Sequence, residues 1–144
     1  MAGQRRKPRV DRIQYAALPF RRRSDTATEV MLVTSRGTGR WIIPKGWPMK
    51  RKAPHATAAR EALEEAGVEG EIGKAPIGSF SHEKALKKGD VIVCDVQVFA
   101  LEVKRQRKSW PEKGKRSVRW FSRAAAARAV REPVLRDIIS KIGK

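Results

Sequence analysis

The sequence predicts an α+β fold, a mixed β-sheet packed between helices, on three observations. Short runs rich in β-branched and aromatic residues recur from Gln14 onward, separated by turn signals. A helical stretch interrupts them at Pro54–Ala66, and a second helical stretch closes the chain. At 144 residues the chain has the length of one domain, enough to bury a core without disulfides or a structural metal.

The first twelve residues, MAGQRRKPRVDR, have almost no apolar content and read as a basic, disordered arm, leaving 13–144 as the single domain. Strands are expected at QYAALPF, EVMLVTS, WII, IGSF, VIVCDVQVFALEV and VRWF, mostly antiparallel or mixed, with a turn at Arg36-Gly37-Thr38-Gly39. The first helix runs from Pro54 to Ala66, with proline suited to its first turn and Gly67 placed to end it in a left-handed conformation. Near the C-terminus Ser122 caps AAAARAV, Pro133 breaks the run, and Val134, Leu135, Ile138, Ile139 and Ile142 recur at helical spacing. The stretch Lys104 to Arg116 reads as a basic loop between the long strand and the last one. No internal repeat is present.

Lysine and arginine number 33 against 15 acidic residues, a net charge of +18. An excess that large exceeds what solubility needs and points to a polyanionic partner: nucleic acid, a phosphate-dense small molecule or an anionic surface. The plain alternative is a solvated basic surface. Cys94 is the one cysteine and lies in an apolar run, and no stretch reads as a secretory segment or membrane span, so a cytoplasmic protein without a membrane partner is expected. The oligomeric state stays undetermined at this level.

On the first helix Glu61, Glu64 and Glu65 fall within an arc of about 100°, while Ala59, Leu63 and Ala66 point the opposite way. Three like charges at that spacing repel, by a few tenths of a kcal/mol per pair in an isolated helix. A hard divalent cation relieves this, because Mg²⁺ takes oxygen ligands and is held by a few carboxylates together with substrate phosphates. The competing reading is an exposed acidic face paired with Arg60 and other bases.

Gly46, five residues, position 52, seven residues, then Arg60-Glu61-Ala62-Leu63-Glu64-Glu65-Ala66-Gly67-Val68 resembles the signature box of the Nudix hydrolases. Two positions depart from it: Ala62 is small for a bulky apolar site, and Lys52 replaces the first glutamate. The order of the remaining runs is also similar to a whole Nudix domain over about Gln14 to Ile142. The Trp110-Pro111-Glu112 and Arg119-Trp120-Phe121 region resembles diphosphoinositol polyphosphate phosphohydrolases, and Pro44-Lys45-Gly46 resembles diadenosine polyphosphate hydrolases.

The resemblance implies a Nudix-type α/β/α sandwich with a central mixed sheet. It also implies hydrolysis of an organic diphosphate by water attack at phosphorus with Mg²⁺ or Mn²⁺. Glu61, Glu64 and Glu65, with a backbone carbonyl near Lys45 or Gly46, would hold the cation, and Arg60 would orient the glutamates. Glu61 or Glu64 leads as general base, with Glu112 and Glu83 as further candidates and His82 and His55 at low weight. The glutamate that Lys52 replaces pairs with the box arginine in the family, so Glu69 or Glu29 is expected to meet Arg60 instead. Lys45, Lys50, Arg51 and Lys52 would line the approach for substrate phosphates, with Arg21 to Arg23, Lys87, Lys88 and the 104–116 loop as further contacts. A phosphate-rich small molecule is therefore the expected partner. The alternative is a catalytically weakened polyanion or nucleic-acid binding module, to which aromatics at 6% offer little base-stacking material.

Overall fold

A computed structural model describes residues 12–23 and 27–144; the expected N-terminal arm lies, apart from Arg12, outside the described residues. The strands are β1 (Arg12–Arg22), β2 (Thr28–Thr34), β3 (Trp41–Ile42), β4 (Lys45–Gly46), β5 (Val68–Ile72), β6 (Gly78–Ala85), β7 (Val91–Gln106) and β8 (Val118–Ser122). The helices are α1 (Pro54–Ala66), α2 (Arg123–Ala129) and α3 (Pro133–Lys141).

One mixed sheet runs β3-β2-β1-β7-β5, with β4 joining β1, β6 joining β7 and β8 joining β2. Its centre is the parallel pair β1 and β7, in register from Arg12 opposite Cys94 to Phe20 opposite Glu102. The other described pairings are antiparallel. Alternation along β1 sends Ala16, Leu18 and Phe20 to one face, where they join Leu135 and Ile139 of α3 and Ala126 of α2 in one buried cluster. Ala17 faces the other way, into a second cluster with Phe99, Leu101 and the α1 residues Ala58, Ala62 and Ala66. Each large apolar side chain so buried contributes roughly 1.5–3 kcal/mol. Helices on both faces of a mixed sheet make the α/β/α sandwich.

The alanines explain how α1 approaches the sheet: Ala58, Ala62 and Ala66 are fully buried, so Ala62 serves this contact without the bulk that the box pattern favours. Pro54 sits in the first turn, and Gly67 ends the helix at φ 71°, its N–H donating to the Leu63 carbonyl at 3.0 Å. A side chain at Gly67 would also collide with the ring of Trp110. Position 67 therefore requires glycine twice, for its backbone and for the loop packed over it.

Several expectations need correction. Two short strands were hidden: β4 is only two residues beside Pro44, and β5 (VEGEI) carries a bulge at Glu69/Gly70 that breaks its alternation. Ile43 falls outside β3. Lys104 to Gln106 belong to β7, so the basic loop begins later than its composition suggests. The closing helical stretch is two helices, with the Ser122 hydroxyl accepting from the Ala125 N–H at 3.2 Å and Pro133 opening α3.

Candidate active site

A cleft of about 440 Å³ opens where α1, β4, β6 and the β2–β3 loop meet. Glu61 and Glu65, one helical turn apart, both reach it, and so do Lys45, Gly46 and Glu112. The box spacing has a local cause here: a Cβ at Gly46 would overlap the Glu61 carboxylate, so glycine lets that carboxylate keep its place against β4.

The loop after β7 closes the acidic side. Its Glu112 N–H donates to the Glu64 carbonyl at 3.0 Å, Arg107 N–H donates to the Gly67 carbonyl at 2.8 Å, and Trp110 covers Gly67. So anchored, the loop delivers Glu112 and Arg116. The Arg116 guanidinium donates to Glu112 Oε1 at 3.0 Å and to the Thr34 carbonyl at 3.1 Å, and stands 3.8 Å from Glu65 Oε1.

Glu65 is only 3% exposed. Burial pushes its carboxyl up to about 8 against the pull of Arg116, and the nearby Glu61 and Glu112 carboxylates add to the rise. Burial also raises Glu61, which shares a hydrogen bond with Glu65. Two partly desolvated carboxyls this close suit a hard divalent cation between them. Lys45 lies across from them, its ammonium lowered by burial and then by Lys84.

Other expected residues stand elsewhere. Glu64 accepts from Arg60 Nε at 2.8 Å and is not among the cleft-lining residues, so the three glutamates divide into a cleft pair and a half-exposed ion pair. Among the described residues no three acidic, histidine or cysteine side chains form a cluster poised for a metal. Arg60 meets Glu64, and neither carboxylate expected for it is available: Glu69 is held by Arg105 at 2.9 Å and Arg107 at 2.6 Å, and Glu29 by Arg21 at 2.8 Å and Arg23 at 3.7 Å. Lys52 instead lines a separate groove with Arg60, Leu63 and Glu69.

Lys50, Arg51 and Lys52 are exposed on a turn, with Arg51 at φ 63°, and do not line the cleft. Neither do Arg21, which lies over the Trp120 ring at 4.0 Å, nor Arg23. Glu83 lines a side chamber of about 280 Å³. His82 is shared by chamber and cleft and meets Glu132 at 3.3 Å; this contact first, then Arg40, holds the Glu132 carboxyl down at about 2. Gln14, Arg36, Arg40 and Lys84 also line the cleft and escaped the sequence reading, and Arg116, expected only as the last member of the basic 104–116 loop, joins them. Gln14 was visible only as a polar residue at the head of an apolar run.

The NUDIX domain model matches residues 12–142. The chain belongs to the Nudix family. It is 29% identical over 120 residues to Nudix hydrolase 16, mitochondrial, of Arabidopsis thaliana, covering 81% of this chain and 66% of that protein. It is 31% identical over 125 residues to diphosphoinositol polyphosphate phosphohydrolase 3-alpha of Mus musculus, covering 83% and 72%. The chain spans about half to two thirds of the length of the first plant relatives it matches, at 66%, 49% and 48%. An Ap4A hydrolase of C. elegans in a binary complex superposes with a TM-score of 0.64 at 16% identity, covering 90% of this chain and 93% of that one. The E. coli dihydroneopterin triphosphate pyrophosphohydrolase reaches 0.69 at 15% identity, covering 94% and 97%. Among the described residues no helix is long and apolar enough to cross a membrane, and several relatives are named mitochondrial or chloroplastic, so an address in the cytoplasm rests on the sequence alone.

Proposed function

We propose that this Nudix chain is a metal-dependent pyrophosphohydrolase that cleaves a diphosphate linkage by water attack at phosphorus. Its substrates are phosphate-dense small molecules of the diphosphoinositol polyphosphate or diadenosine polyphosphate kind. The observation that carries the reading is the pairing of buried Glu65 with half-buried Glu61, facing Lys45 across one cleft. A pure anion binder gains nothing from two carboxylates beside its ligand.

Glu61, Glu65 and Glu112, with the Lys45–Gly46 backbone, would hold Mg²⁺ or Mn²⁺; Glu64 would join them by leaving Arg60. Bound there, such an ion supplies charge neutralisation of the diphosphate and acidification of a water. Glu61, the less buried member of the pair, whose carboxyl burial raises above its ordinary value, takes a proton from the attacking water. Arg116 fixes Glu112 and holds charge beside Glu65, while Lys45 meets phosphate oxygens from the opposite wall. Named relatives support the substrate class: one is a diphosphoinositol polyphosphate phosphohydrolase and one structural neighbour an Ap4A hydrolase.

The test is phosphate release with Mg²⁺ or Mn²⁺ from a diphosphoinositol pentakisphosphate, from diadenosine penta- and tetraphosphate and from 8-oxo-dGTP, with Glu65→Gln as control. Hydrolysis lost in the variant supports the reading. Release from none of them would favour the second reading, a polyanion or nucleic-acid binding module, which draws on the net charge of +18 and on Lys52.

A further inference from the structure

The acidic side of the cleft accounts for cation and water, and of the opposite wall formed by Lys45, Lys84, Trp47 and Gln14 only Lys45 has a part in the hydrolysis. Lys45 stands on β4 and Lys84 on β6, strands carried by opposite members of the central parallel pair. Lys84 is the charged group acting most strongly on Lys45, against the weaker pull of Glu65 and Glu132. Two ammonium groups brought together in a partly desolvated cleft repel one another, and an anion with several oxygens relieves both at once.

Gln14 adds an independent sign. It is 3% exposed, lines the same cleft, and its Oε1 has no hydrogen-bond partner. Buried polar side chains are rarely left unpaired, and a carboxamide can turn either its oxygen or its NH₂ toward a ligand. Trp47 narrows the class of that ligand. Lys84 Nζ and the Arg12 guanidinium both lie over its ring, 5.8 Å and 5.6 Å from the centroid, so the indole steadies cations instead of offering a free face to a nucleobase. The side chamber next door differs, because there Glu132 already engages the cations, with Arg40 at 3.6 Å and His82 at 3.3 Å.

We propose that Lys45, Lys84 and Gln14, steadied by Trp47, form a subsite for a phosphate group of the substrate outside the bond being cleaved, with Lys84 its specificity-determining residue. This deepens the pyrophosphohydrolase reading of the same cleft and rests on it. The subsite favours a ligand bearing separate phosphate groups over one presenting a base at this end.

Calorimetry on the full chain, without divalent cation and at about 0.15 M salt to suppress long-range attraction, tests it with inositol hexakisphosphate and adenosine as probes. Lys84→Ala is expected to weaken inositol hexakisphosphate binding about 10-fold, the loss of one charge-assisted contact. Lys84→Glu should weaken it further, Lys84→Arg should retain most of it, and adenosine should bind poorly to all. Lys74→Ala, at an exposed lysine that does not line the cleft, is the control for charge alone. Equal binding by Lys84→Ala and wild type, or equal losses at Lys84 and Lys74, would overturn the subsite. These readouts need no turnover: an inactive protein whose binding depends on Lys84 defeats the hydrolase reading alone, and an active one indifferent to Lys84 defeats the subsite alone.

Discussion

Glu65 and Glu69 stand four residues apart on either side of the α1–β5 junction and meet opposite fates. Glu65 is enclosed, its nearest cation 3.8 Å away, and burial drives its carboxyl up to about 8. Glu69 is exposed enough to be gripped by Arg107 first and Arg105 second, and its carboxyl moves down. Glu64, adjacent to Glu65 in sequence, sides with Glu69 by pairing with Arg60. Desolvation outweighs charge attraction for Glu65 and loses to it for Glu69. A glutamate kept from water and from a close cation is available for chemistry at once, whereas one already paired with arginine must first give up that partner.

The comparison is broken most directly by turnover. Glu65→Gln and Glu61→Gln are expected to lower phosphate release at least ~100-fold with the fold intact by circular dichroism, whereas Glu69→Gln should leave it unchanged. Glu64→Gln should fall between them, since its carboxylate must first leave Arg60. Equal rates for the Glu65 and Glu69 variants would erase the distinction.

Next in size is the effect of removing the loop's grip. Arg116→Ala frees Glu112 and strips Glu65 of its cation, and kcat should drop about 10- to 100-fold, in the range of support residues around metal sites.

The pH dependence sharpens the contrast. A carboxyl with an ordinary value of 4.5 and a folded value of about 8 binds its proton more tightly when folded. Glu65 therefore favours the folded state fully below about pH 4.5, and this contribution is lost as pH rises toward and through 8. Glu69, shifted the other way, contributes stability above its ordinary range and loses it on acidification. Thermal melts of metal-free protein should show Tm falling between pH 5 and 9, with Glu65→Gln flattening the fall. Mg²⁺ should raise Tm more at pH 8.5 than at pH 5.5, because it competes with the proton. An unchanged slope in Glu65→Gln would assign the trend to other groups. The smallest effect belongs to Lys52→Glu. It offers Arg60 a second carboxylate on a surface where such pairs contribute ~0.3–0.5 kcal/mol, so turnover should change little.

Much of the fold was legible in local pattern, because α1, its proline entry and its glycine exit depend on neighbours along the chain. The strands that escaped notice, β4 and β5, are short or bulged and exist through their partners β1 and β7. The glutamates were equally visible, but their division was not. Helical spacing puts Glu61, Glu64 and Glu65 on one arc, and the packing of β4 and the 107–117 loop decides which of them is enclosed.

The sequence by itself determined the family, the helix that carries the carboxylates and the excess of positive charge, since each is a matter of residue type and spacing. Only the tertiary structure decided that Glu65 is buried against Arg116, that Lys50 to Lys52 lie off the cleft, and that Lys84 and Gln14 enter it. Those outcomes depend on desolvation and on contacts between residues tens of positions apart, which no local pattern encodes.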